Sequence, residues 1–139
     1  VIINFFRGNW CPFCMAELAN YQESIQEFQL PAEQFLFISP QMAKYSVKLK
    51  EEQNFDLTLI ADEHNEIAHQ FGLVFSLSDN IREIFHHIEI DLSEINGDDA
   101  YELPIPATYV ISSSGKITYA FVEVNYMLRA EPREVFGKI

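Results

Sequence analysis

The feature that most constrains the fold is the joint between two segments near the start of the chain. Val1-Ile2-Ile3-Asn4-Phe5-Phe6 is a largely apolar run of strand length, and Arg7-Gly8-Asn9-Trp10 leads it directly into Cys11-Pro12-Phe13-Cys14. From there Cys14, Leu18, Tyr21, Ile25 and Phe28 recur at spacings of four, three, four and three, the period of a helix that buries one face. The pattern predicts a buried strand over residues 1–6 and a helix over 11–29, with Pro31 just beyond its end. A buried strand that runs straight into an amphipathic helix calls for an α/β arrangement, because the helix must pack back on the sheet it left.

The rest of the chain continues that alternation. Residues 34–39 read as a second buried strand closed by Pro40, followed by a helix over about 41–53 and a short strand over 57–61. Asp62 is placed to cap a helix carrying Ile67, Ala68 and Phe71, which Gly72 ends. Residues 78–95 form a helical insertion, with Ile81, Ile84, Phe85, Ile88, Leu92 and Ile95 on one stripe. Ile88 to Leu92 also alternates like a strand; the reading is helix to about residue 90, then an irregular connection through Asn96-Gly97. Residues 107–112 and 116–123, joined by Ser113-Ser114-Gly115, give a hairpin, and a short helix from about 131 has Pro132 in its first turn. Parallel crossovers plus a terminal hairpin predict one domain over residues 1–139, an α/β sandwich with a mixed sheet. A strand already under way at Val1 leaves room for a segment ahead of it.

Composition narrows the function classes. The formal charge of −12 argues against nucleic acid, which demands basic patches, and against docking on anionic lipid. No apolar stretch approaches the roughly 20 residues of a membrane-spanning helix. Two cysteines are too few to be a disulfide framework for a chain of 139 residues. The cytoplasm is the expected compartment, with the periplasm as the alternative.

The two cysteines therefore draw attention as a reactive pair. A thiol near pKa 8.5 is mostly protonated at neutral pH, and its thiolate is the nucleophile. At the first turn of a helix Cys11 would face unpaired backbone N–H groups and the positive end of the dipole, both of which favour the anion. Pro12 suits that turn because its missing N–H has no helical partner to lose. Cys14, about one turn deeper, is within reach for a disulfide, and burial on the apolar stripe would keep it less reactive. Arg7 is the nearest fixed positive charge, and Trp10 supplies a flat apolar wall. The competing readings are two small buried core residues or a zinc site, but a structural zinc site usually needs four ligands and no second Cys pair exists. His64 reads as a core-edge residue on the face of Ile67 and Phe71; His69, His86 and His87 lack a convergent partner, so no metal is expected. No phosphate-binding glycine motif points to a nucleotide, and no cofactor is expected.

Phe5 to Cys14, followed by Glu17-Leu18, resembles the thioredoxin superfamily, and more narrowly the peroxiredoxin-like branch of the alkyl hydroperoxide reductase/thiol-specific antioxidant family. Ile38-Ser39-Pro40, Asp62 with Phe71-Gly72, Pro104 to Ile111 with Gly115, and Tyr126, Arg129, Glu131 and Pro132 match in order. The resemblance implies a thioredoxin-like three-layer sandwich and makes Pro106 the candidate cis-proline beside the dithiol. It also makes Arg129 a candidate site residue, with a surface salt bridge to Glu131 or another acid as the other reading. Glu17 resembles the acid after the dithiol in the reductases of cytochrome maturation, where partial burial would let it assist proton transfer; an ordinary surface glutamate is the alternative. The chain departs from the family at Asn4 and Gly8, where a proline and a hydroxyl residue are expected.

The resulting expectation is a thiol oxidoreductase acting on hydroperoxides through Cys11 and Cys14. An external dithiol donor such as a thioredoxin or glutaredoxin would restore the pair. The alternatives are thiol–disulfide exchange with protein substrates, or a non-enzymatic redox-sensing module. Apolar residues on more than one side of the insertion, Ile90 among them, suggest a homodimer.

Overall fold

A computed structural model describes all of Val1–Ile139. Five strands form the central sheet in the order β3 (Thr58–Ala61), β2 (Phe35–Ser39), β1 (Ile2–Phe5), β6 (Ala107–Ile111) and β7 (Ile117–Val122). β1–β2 and β2–β3 are parallel, whereas β1–β6 and β6–β7 are antiparallel. The parallel half arises because α1 (Pro12–Glu27) and α2 (Ala43–Gln53) carry the chain back between strands; in the antiparallel half β6 lies against β1, and the turn through Ser113–Gly115 folds β7 back onto β6.

Strand alternation divides the core into two layers. Ile2, Phe35, Phe37 and Val110 face Leu18, Tyr21 and Ile25 of α1, Leu49 of α2 and Val135 of α6 (Pro132–Phe136). Phe5, Ile38, Ala107 and Tyr109 face the opposite way, toward Ala68 of α3 (Glu66–Gln70) and Leu73. This is the three-layer sandwich with a mixed sheet of the thioredoxin-like fold. Asp62 caps α3 from a distance: its two carboxylate oxygens accept from the N–H groups of Ile67 and Ala68 at 2.8 and 2.9 Å.

The insertion differs from the sequence reading. Val74–Ser76 (β4) pairs antiparallel with Glu102–Pro104 (β5) in a small second ribbon. The helix of the insertion, α4 (Asp79–His87), stops short of residue 90, because Glu89 takes a left-handed conformation at φ 61°. A further short helix, α5, covers Leu92–Asn96. Leu77, Phe85, Leu92 and Leu103 make a small core of their own beneath α4. Packing on Phe85 also ties the insertion to Trp10, whose ring meets it edge-on at 5.1 Å.

Candidate active site

The dithiol sits where β1 delivers the chain to α1. Cys11 is the N-cap residue, in extended conformation, with Pro12 in the first helical position. Its sulfur does what a serine or aspartate oxygen does at other helix starts, accepting the Cys14 N–H at 3.4 Å. That geometry favours the anion. The hydrogen bond from the Cys14 side chain is the largest influence, with the Cys14 N–H and the charges of Arg7 and Arg129 adding to it. Together they outweigh burial and bring Cys11 down to about 6. Cys11 is thus mainly thiolate at neutral pH.

Cys14 lies in a different environment. It is fully buried, and burial, the largest influence, pushes its thiol well above the ordinary range. Its sulfur accepts from the Arg7 backbone N–H at 3.4 Å and from the Arg129 guanidinium at 3.3 Å. Another guanidinium nitrogen of Arg129 donates to Glu17, whose second oxygen accepts from the Asn4 side-chain amide at 3.0 Å. The same amide nitrogen reaches the Thr108 hydroxyl at 2.9 Å, directly across the β1–β6 pair. Thr108, Asn4, Glu17, Arg129 and Cys14 therefore form one buried polar chain behind the dithiol. Burial lifts the Glu17 carboxyl to about 7, against the opposing pull of Arg129. Glu17 is buried, not a surface glutamate, and the partner of Arg129 is Glu17, not a surface acid.

In front of Cys11 the surroundings are apolar. A groove of about 560 Å³ opens over it, with Pro12, Phe13, Ile105, Pro106 and Tyr126 among its walls. The Arg7 guanidinium lies between the Trp10 and Tyr126 rings, 4.8 and 4.6 Å from their centroids. Pro106 lines the groove as the resemblance implies, but the Ile105–Pro106 bond is trans, since the chain contains no cis peptide. The trans form is the intrinsically favoured one, and here it carries an extended chain from β5 into β6 while the Ile105 N–H bonds the Leu73 carbonyl at 2.8 Å. Gly8 has its own explanation: a Cβ there would lie 2.4 Å from the Trp10 indole nitrogen. The indole takes the space that a hydroxyl side chain would need.

The histidines stand apart. His64 is exposed, not core-edge, because its turn adopts φ 57° and aims the ring at Asp98, 2.9 Å away. His69 pairs with Glu102 at 3.1 Å, and no cluster of three potential metal ligands exists. Asn4 was the functional neighbour that sequence reasoning missed. Its signal was available: one amide inside an otherwise apolar strand, at a position the alternation turns toward α1.

The sequence model described as the AhpC/TSA family matches residues 1–120. Comparison with curated protein sequences finds no match. Among solved structures, the chain resembles peroxidoxin BcpB from Mycobacterium tuberculosis at 21% identity and TM-score 0.62, covering 87% of this chain and 66% of that one. It also resembles a cysteine-to-serine mutant of peroxiredoxin Q from Xanthomonas campestris, at 14% identity and TM-score 0.70, covering 98% and 74%. A thiol:disulfide interchange protein of the thioredoxin family from Chlorobium tepidum TLS is similar at 17% identity and TM-score 0.53, covering 99% and 77%. The chain thus spans just under two thirds of the first of these and about three quarters of the others.

Proposed function

The chain belongs to the AhpC/TSA family, and from that premise we propose that it is a thiol-dependent peroxidase in which Cys11 attacks hydroperoxides and Cys14 resolves the product. One observation carries the reading: a sulfur held near pKa 6 at a helix start, on the floor of an open groove, three residues from a second, buried sulfur. The Cys11 thiolate attacks the terminal oxygen of ROOH. An S–O bond forms, the O–O bond breaks, and the alkoxide leaves and takes up a proton to become ROH. Cys11 is then a sulfenic acid. The Cys14 thiol gives up its proton, its sulfur attacks Cys11, and the hydroxyl departs with that proton as water, leaving an internal disulfide. A thioredoxin-type dithiol returns two electrons through a mixed disulfide.

Arg7 and Arg129 support this cycle by favouring the Cys11 anion. Glu17 and the Cys14 sulfur share the Arg129 guanidinium, so Glu17 holds that cation beside the resolving thiol. A reducing cytoplasm, able to keep the dithiol donor supplied, suits the cycle.

The test is peroxide consumption by the reduced chain with a thioredoxin-type donor. Wild type is expected to turn over, whereas Cys11→Ser should lose at least about a thousandfold of the rate. If the reduced protein consumes no hydroperoxide yet reduces protein disulfides, thiol–disulfide exchange replaces the peroxidase reading. The Cys-Pro-Phe-Cys pair at a helix start is the observation that favours this second reading.

A further inference from the structure

Two arginines stand at the dithiol, and only one of them has its donors engaged. Arg129 commits all three nitrogens: Nε donates to the Tyr126 carbonyl at 2.8 Å, and the two terminal nitrogens donate to Glu17 and to the Cys14 sulfur. Arg7 is held in another way. Its guanidinium lies between the Trp10 and Tyr126 rings, and no ion pair of the chain involves it. Its Nε is buried without an acceptor. Although the chain has 21 acidic residues, none lines the groove over Cys11, and Arg7 is its one charged side chain.

Each ring of this stack is itself fixed. Trp10 meets Phe85 edge-on at 5.1 Å, and Tyr126 meets Phe13 at 5.7 Å while its carbonyl is held by Arg129. Aromatic faces hold a guanidinium through its charge and leave its in-plane N–H donors free, whereas a carboxylate would occupy them. Packing does not account for an unpaired buried donor, which costs stability. Favouring the Cys11 anion does not account for it either, since that effect needs the charge alone. The reaction supplies a use. When a thiolate attacks the terminal oxygen of a hydroperoxide, negative charge passes to the inner oxygen as the O–O bond breaks. Gly8 has no side chain to meet that charge, and in a groove of low polarity a fixed cation with free donors meets it strongly.

We propose that Arg7 is a catalytic residue of the peroxidase, donating hydrogen bonds to the oxygen that leaves as the O–O bond breaks. The inference rests on the peroxidase reading above. The S–O bond forms at Cys11, the O–O electron pair passes to the leaving oxygen, and that oxygen takes a proton from solvent while Arg7 stays protonated.

The experiment compares two reactions of the reduced full chain, oxidation by hydrogen peroxide and alkylation by iodoacetamide. In the second the same thiolate displaces iodide and no charged oxygen forms. Rates are read by quenching with N-ethylmaleimide and weighing the intact chain. Each variant is compared at a pH where its own iodoacetamide rate has levelled, so that a changed thiol pKa drops out. In Arg7→Met the ratio of the peroxide rate to the iodoacetamide rate is expected to fall about a hundredfold. Arg7→Lys, which keeps the charge without the planar fork of donors, should recover part of that loss. A ratio that falls by less than about tenfold, an equal fall of both rates included, would overturn the inference while the peroxidase reading stands. Arg7→Gln, shorter and uncharged, is held to the same criterion if the methionine variant does not fold. Failure of hydrogen peroxide to oxidise the wild-type dithiol would overturn both.

Discussion

The two sides of the dithiol are built on opposite principles. Behind it, toward the sheet, Cys14 meets a closed chain of polar groups in which Arg129, Glu17, Asn4 and Thr108 hold one another by hydrogen bonds. In front of it, Cys11 meets an open apolar groove whose walls come largely from the insertion and the turn before β6. In the interior geometry is fixed and low polarity makes each charge count. On the outer side the walls around Cys11 are apolar. Two sulfurs only three residues apart can then hold opposite protonation states, with Cys11 lowered to about 6 and Cys14 raised.

The harshest way to break this contrast is to remove the cation of the inner side. Arg129→Met leaves the Glu17 carboxylate buried without its ion-pair partner and should cost about 3–5 kcal/mol of stability at pH 8. Urea unfolding at pH 5 should show a smaller loss, because Glu17 then takes up a proton. An equal loss at both pH values would mean that Arg129 matters for packing alone.

Glu17→Gln probes the same side through protons. Since the folded-state value is raised from 4.5 to about 7, the native protein binds more protons than the unfolded chain across that window. The contribution is therefore fully present below pH 4.5 and is lost as pH rises through 7, on the order of 3 kcal/mol in all. The glutamine variant should lack that decline, so the difference between the two unfolding curves should change with pH and level off above about 7. A parallel pair of curves would remove Glu17 from the account. Asn4→Ala should have the smallest effect, about 1–3 kcal/mol, by taking one donor from Glu17 and one from Thr108. Its mark is a Glu17 titration displaced to higher pH, since the lost donor favours the ionised carboxylate; an unshifted titration would reduce Asn4 to a packing residue.

Much of this architecture was readable in the chain, for reasons that differ by element. Periodicity located α1, α2 and the central strands because each buries one face against a large core. The β4–β5 ribbon escaped because three-residue strands carry no period, and Pro104 argues against a strand at all. The end of α4 escaped because the left-handed Glu89 is dictated by how the insertion folds onto Phe85, not by a local glycine. At the site, Cys11 and Pro12 announced themselves through local helix-start chemistry. The link from Arg129 to Cys14 spans 115 residues and exists only once α1 and the closing segment share a layer. Pro106 was legible as a neighbour of the dithiol and misread as a cis-proline, because isomer state depends on the strand it feeds and not on the proline itself.

The proposed cycle has Cys11 make the first attack and Cys14 resolve it. The most direct measurement is sulfenic-acid trapping with dimedone in the Cys14→Ser variant, read by peptide mass spectrometry after hydroperoxide treatment between pH 5 and 8. The adduct is expected on Cys11, forming at a rate that rises through a midpoint near pH 6 and then levels as the thiolate population saturates. No adduct in that variant, together with an adduct on Cys14 when Cys11 is replaced by serine, would reverse the two roles and contradict the account.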